Sequence, residues 1–175
     1  MNISFQIMTC ESTDAAKISE VAIKAYKDFY LYLWYDNGDW YINRSFATSV
    51  IARELNNPNV AYFLLTENKI VVGFLKINIS HTLKEFEARD CMELERIYLL
   101  KSSSGKGYGK RVIEFCFDYA IKKQKQIIWL KAMDSSPSVG FYQRMGFLQC
   151  GNSQLDYEKM KPEFRGIVTM KKMLQ

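Results

Sequence analysis

The sequence predicts an α/β fold of the α+β kind, with one mixed central sheet of about seven strands flanked by about four helices. Three observations lead there. Segments with the two-residue period of strands alternate with segments whose apolar residues recur at helical spacing. No low-complexity tract, internal repeat or Pro/Gly-rich linker divides them, so 1–175 reads as a single domain. Hydrophobic residues make up 48% of the 175, enough for the core of one compact unit.

The elements follow in order. Ile3, Phe5 and Ile7 alternate with polar residues as a first strand. Ser12 or Thr13 can cap a helix carrying Ile18, Val21, Ala22 and Ala25 at helical spacing. An aromatic stretch, Phe29 to Tyr41, is broken by a turn at Asn37 and Gly38. A second helix over 44–55 stops before Asn56, Asn57 and Pro58. Strands over 60–66 and 70–79 flank a tight turn at 67–69, and a polar loop over 80–90 leads to a strand over 92–100. Three serines and three spaced glycines then open an amphipathic helix over 110–123, with Val112, Phe115, Cys116, Tyr119 and Ala120 on one face. A short buried strand over 127–132 and a helix over 135–145, closed by Gly146, come next. Strands over 147–155 and 166–174 finish the sheet.

Composition narrows the function. The net charge of +5 is dispersed among acids and no recognition motif accompanies it, so nucleic acid is not an expected partner. No apolar run is long enough for a bilayer, and no secretory pattern opens the chain, so a cytoplasmic protein without membrane contact is expected. Cys10, Cys91, Cys116 and Cys150 are scattered, without metal-ligand spacing, and read as reduced core residues. With His81 the lone histidine, no metal site is expected and His81 receives no catalytic role.

The most informative segment runs from Glu93 through Leu99 into Ser104-Gly105-Lys106-Gly107-Tyr108-Gly109-Lys110-Arg111. A strand entering a glycine turn that opens a helix lets backbone N–H groups converge on a phosphate, with no Cβ in the way. Lys101, Lys106, Lys110 and Arg111 crowd the same place. The dinucleotide fingerprint would need glycine at Val112. The Walker pattern would need glycine at Ser104 and Ser or Thr at Arg111. Neither fits, and alone the turn could be a charged surface connection.

A second segment, from Ser135 to Phe147, changes that reading. The turn at Gly107 and Gly109, with Phe141, Tyr142, Gly146 and Phe147 downstream, resembles the paired motifs of the GNAT superfamily of N-acetyltransferases. Those are a (Q/R)xxGxG/A turn after the fourth strand and an NxxAxx(F/L)YxxxGF helix after the fifth. Glu93-Leu94-Glu95-Arg96-Ile97-Tyr98 before the turn is most similar to the bacterial spermine/spermidine type. Two positions depart: Ser104 stands for the family's Gln or Arg, and Ser135 for its Asn.

The resemblance implies an acetyl-CoA-dependent enzyme moving an acetyl group directly to a primary amine in a ternary complex, with a polyamine as a candidate acceptor. Ile97, Tyr98 and Leu99 would line the pantetheine arm of acetyl-CoA, the Leu99 N–H facing the thioester. The N–H groups of Gly105, Lys106, Gly107, Tyr108, Gly109 and Lys110 would hold the pyrophosphate, with Ser104 and Ser135 adding side-chain contacts. Tyr142 would be the general acid, since a phenol is protonated at neutral pH. The amine must lose a proton, and Glu93 or Glu95 would take it, directly or through water. The period of two puts both on one face with Ile97 and Leu99. Either could instead pair with Arg96, Arg89 or a lysine. Asp28, Asp36 and Asp39, set among aromatics, could hold a polyamine. Protein amines are a further class of acceptor, and a non-catalytic acyl-CoA sensor is the alternative outside catalysis. A homodimer could form through the 166–174 strand.

Overall fold

The computed structural model describes residues 4–174. Seven strands form one mixed sheet in the order β1-β2-β3-β4-β5-β7-β6. They are β1 (Phe5–Thr9), β2 (Val60–Glu67), β3 (Ile70–Asn78), β4 (Cys91–Leu99), β5 (Ile127–Met133), β6 (Leu148–Gln154) and β7 (Gly166–Met173). The helices are α1 (Ala15–Phe29), α2 (Asp39–Phe46), α3 (Thr48–Leu55), α4 (Tyr108–Lys122) and α5 (Ser138–Arg144). Ile3, assigned to the first strand from sequence, lies outside the described residues.

Helices cover both faces of the sheet, which is why its central strands are apolar almost throughout. On one face Phe63, Leu65, Leu75 and Ile77 pack with Val112, Ile113, Cys116 and Ala120 of α4. On the other, Tyr62, Leu64 and Phe74 pack with Ile18, Ala22 and Ala25 of α1, Phe46 of α2 and Ile51 of α3. The helix predicted over 44–55 is two short helices that meet at Ala47, whose ψ of 138° interrupts the helical ladder. Nor do Ser12 and Thr13 cap α1: they lie in a 3-10 turn, and the Glu11 N–H donates to the Asp14 carboxylate at 3.0 Å.

Cys91 and Cys116 are buried as expected, Cys10 is half-buried, and Cys150 is exposed because β6 is an edge strand. Burial pushes the Cys10 thiol up to about 12. Among the described residues no helix is long and apolar enough to cross a membrane.

Candidate active site in the cleft between β4 and β5

A cleft opens where two parallel strands part. β4 and β5 pair from Cys91↔Ile127 only as far as Leu94↔Leu130. Beyond that point Lys131, Ala132 and Met133 remain paired with β7, while Arg96 to Leu99 remain paired with β3. Glu95 lies at the divergence as a one-residue bulge: Lys76 pairs with Arg96, but the next residue, Ile77, pairs with Leu94.

The bulge corrects the expected face. Glu93 and Glu95 do point the same way, since Asn78 Nδ2 donates to both, at 2.6 and 2.8 Å. The extra residue reverses the alternation after it. Ile97 and Leu99 pack toward α4, and Tyr98 packs toward α1. The Leu100 N–H donates to the Val72 carbonyl of β3 at 2.8 Å. By the two-residue period, the N–H groups of Ile97 and Leu99 face away from β3, into the cleft.

The glycine turn leaves open space beside its backbone. Gly105 and Gly107 both have φ of +77°, a value that disfavours other residues, and nothing lies within 4 Å of where a Cβ would sit. α4 starts at Tyr108, so the N–H groups of its first turn have no partner within the helix and carry its positive dipole end. A Cβ on Gly109 would lie 3.4 Å from the Phe141 ring, so the two motifs pack against each other.

The side chains of the turn do less than expected. Lys106 Nζ donates to both Glu67 oxygens at 2.9 Å, and the Tyr108 hydroxyl donates to the same carboxylate at 2.8 Å. These bonds hold the Glu67 carboxyl below its ordinary value. The Tyr108 ring stacks on Phe5 at 4.1 Å. Arg111 Nη2 is turned back to the Phe5 carbonyl at 3.2 Å, and Lys110 Nζ lies 3.7 Å from Glu114. Lys106 and Tyr108 thus anchor the turn to β1 and β2 through their side chains. Ser104 donates its N–H to the Lys101 carbonyl at 3.2 Å. Ser135 is exposed, whereas Ser136 and Ser138, which sequence reasoning missed, line the cleft.

The cleft encloses a cavity of about 390 Å³. Tyr142 and Glu93 both line it. Tyr142 is 9% exposed, and its hydroxyl has no hydrogen-bond partner among the described residues. Burial, then the nearby Tyr30 and Cys116, push that hydroxyl's pKa well above its ordinary 10.0, so it holds its proton. Glu93 is 6% exposed. Its Oε2 contacts Asn78 Nδ2 and also His81 Nδ1, at 2.5 Å, while its Oε1 has no hydrogen-bond partner among the described residues. His81, given no role from sequence, is the half-exposed neighbour of the buried acid.

Glu95 is occupied differently. Its Oε2 meets Lys76 Nζ at 2.8 Å and its Oε1 meets Arg96 Nη2 at 3.2 Å. Burial works to raise its pKa, but Arg96 and Lys76 outweigh it and hold the carboxyl below its ordinary value. The ion-pair alternative therefore describes Glu95, and Glu93 keeps a free oxygen.

The far wall is aromatic. Trp34 donates its indole N–H to the Tyr26 hydroxyl at 2.7 Å and stacks near Tyr41 and Tyr157. Two loops close this wall. Trp34 bridges to Met160, the Tyr35 N–H donates to the Lys159 carbonyl at 3.0 Å, and the Lys161 N–H donates to the Leu33 carbonyl at 2.9 Å. Asp28, Asp36 and Asp39 do not line the cavity. Asp28 accepts the Lys101 N–H, and Asp36 accepts the N–H groups of Gly38 and Trp40.

Splayed parallel strands, a bulge at the divergence and a glycine turn opening the next helix are joined by a family match. The model of the acetyltransferase (GNAT) family matches residues 20–147, which span the cleft and both motifs. The chain belongs to the acetyltransferase (GNAT) family. This GNAT chain is 25% identical over 107 residues to an uncharacterised N-acetyltransferase from the region 3′ of pepI in Lactobacillus delbrueckii subsp. lactis, covering 61% of the chain and 62% of that protein. It is 23% identical over 146 residues to an uncharacterised N-acetyltransferase of Methanocaldococcus jannaschii, covering 82% and 61%. It thus spans about six-tenths of the length of these curated relatives. Its fold is similar to that of the PaiA N-acetyltransferase of Thermoplasma acidophilum, solved in complex with coenzyme A. The TM-score is 0.73 at 18% identity, covering 97% of this chain and 99% of that one.

Proposed function

We propose that this GNAT chain is an N-acetyltransferase that acetylates a primary amine directly from acetyl-CoA within a ternary complex. The carrying observation is one cavity lined by both an unpartnered, protonated Tyr142 hydroxyl and a buried Glu93 with one oxygen free.

The residues fit the donor. Two glycines at positive φ with open space beside them leave room for a pyrophosphate, and the first-turn N–H groups of α4 supply its donors. The N–H groups of Ile97 and Leu99 face the gap that a pantetheine arm would enter. When bound, acetyl-CoA supplies an activated acetyl thioester.

The remaining work belongs to the chain. Glu93 Oε1 takes the proton an ammonium must lose before it can attack, and Asn78 and His81 fix the carboxylate through its other oxygen. His81, half-exposed, connects that buried acid to solvent and offers the proton a way out. Tyr142 keeps its proton at neutral pH and gives it to the departing thiolate. The aromatic wall excludes water and favours an apolar stem bearing an amine. A polyamine has the stem and the amine, but the three aspartates expected to hold it do not line the cavity.

The test incubates the purified protein with acetyl-CoA and a panel of polyamines, amino acids, an aminoglycoside and short peptides, and follows thiol release. Turnover on any amine supports the enzyme. Tight acetyl-CoA binding without turnover favours the sensor alternative, and absent binding refutes the donor site.

A further inference from the structure

Beside the acetyl-transfer cavity lies a second cavity of about 350 Å³. Tyr41, Tyr157 and Arg96 line both, so the two cavities adjoin at these residues.

The second compartment is lopsided in charge. Arg44, Arg53 and Arg96 line it, against one carboxylate, Glu54. Glu54 is already engaged, by Lys76 Nζ at 2.9 Å on one oxygen and by the Tyr62 hydroxyl on the other. Among the described residues neither Arg44 nor Arg53 is paired with a carboxylate. Arg44 instead lies over the rings of Trp40, at 5.2 Å, and Tyr157, at 5.7 Å, which orients its guanidinium without neutralising it. Arg96 reaches Glu95 with Nη2 and rests over the Phe46 ring at 5.3 Å, but its Nη1 is buried with no partner. A buried charged donor left unpaired is costly unless something else compensates it.

We propose that this compartment is the subsite for an anionic group, carboxylate or phosphate, carried by the amine acceptor itself. The acceptor is then an amine with an anion at its other end, and Arg44 and Arg53 grip that anion while the amine reaches past the shared residues to Glu93. Guanidinium suits the task, since its planar fork meets a carboxylate or phosphate with paired hydrogen bonds. A diamine would bring a second cation against three guanidiniums, so the subsite selects against it. The inference rests on the acetyltransferase reading above.

The experiment compares kcat/KM for pairs that differ only in the anion: lysine with cadaverine for carboxylate, phosphoethanolamine with ethanolamine for phosphate. The anionic member of at least one pair is expected to win by about tenfold or more. In Arg44→Gln and in Arg53→Gln that preference should shrink by about tenfold, through KM rather than kcat. No preference, a reversed one, or one that survives both substitutions overturns the subsite. If no member of either pair is acetylated, a binding arm decides: succinate and inorganic phosphate titrated into the protein at saturating CoA. A rise in Tm that is absent from the Arg44→Gln/Arg53→Gln double variant keeps the subsite while the turnover reading fails. No rise with either anion overturns it.

Discussion

Replacing Tyr142 by Phe isolates one hydroxyl. The ring packs against Phe141 and Phe147, with centroids at 5.4 and 5.8 Å, and phenylalanine keeps those contacts. No protein group loses a hydrogen bond, because the hydroxyl has no partner among the described residues. Stability should therefore be nearly unchanged, and any loss is chemical. A positioned general acid contributes about 10²- to 10⁴-fold, or about 3–5 kcal/mol of barrier. In a thiol-release assay with a saturating acceptor, kcat should fall by at least ~10²-fold while the KM for acetyl-CoA stays put. The pH profile gives a second reading. An acid donates only below its pKa, and burial pushes this one above its ordinary 10.0, so the protonated form persists through the alkaline range. Wild-type kcat should show no alkaline limb from this group between neutrality and pH 10. A Tyr142→Phe variant within about threefold of wild type, with Tm unchanged, would refute the acid assignment.

Four further perturbations test the rest. Glu93→Gln should lower kcat/KM by about 10²-fold. His81→Asn should lower it less, through kcat rather than KM; an unchanged kcat removes His81 from the proton route. Gly107→Ala forces a Cβ onto a residue at φ +77°, costing about 1–2 kcal/mol of stability. It also perturbs the turn, so the acetyl-CoA Kd by calorimetry should rise at least about fivefold. Glu95 titrates below its ordinary 4.5 when folded, so the stability it contributes is full above that value and drains away as pH falls through the folded pKa. Tm should thus drop on acidification below pH 4.5, and drop less steeply in Glu95→Gln.

What the sequence made legible was whatever chemistry demands of particular residues at short range. Gly105 and Gly107 announce a turn because few other residues tolerate φ of +77°, and Phe141-Tyr142 with Gly146-Phe147 announces a helix that packs on it. The strand boundaries were legible for a similar reason, since the apolar runs over 60–66 and 70–79 leave little room for another period. The bulge was not legible. Glu95 and Arg96 do interrupt the alternation of polar and apolar residues, but such a pair is identified as an inserted residue only when the partner strand's register is known. That one residue decides which side chains share the glutamates' face. The roles of charged residues were equally hidden, because whether a charge is free depends on what tertiary contacts bring to it. Glu93 and Glu95 look equivalent in sequence, yet Lys76 and Arg96 occupy one while His81, from a loop, orients the other. Asp28, Asp36 and Asp39 look like a cation trap, yet none lines the cavity, and Asp28 and Asp36 serve as acceptors for backbone N–H groups. Arg44, Arg53 and Arg96 come from two helices and a strand and carry no common motif. The fold gathers them round one cavity whose single carboxylate is already engaged, and that surplus of charge, rather than any residue pattern, is what identifies the kind of acceptor to try.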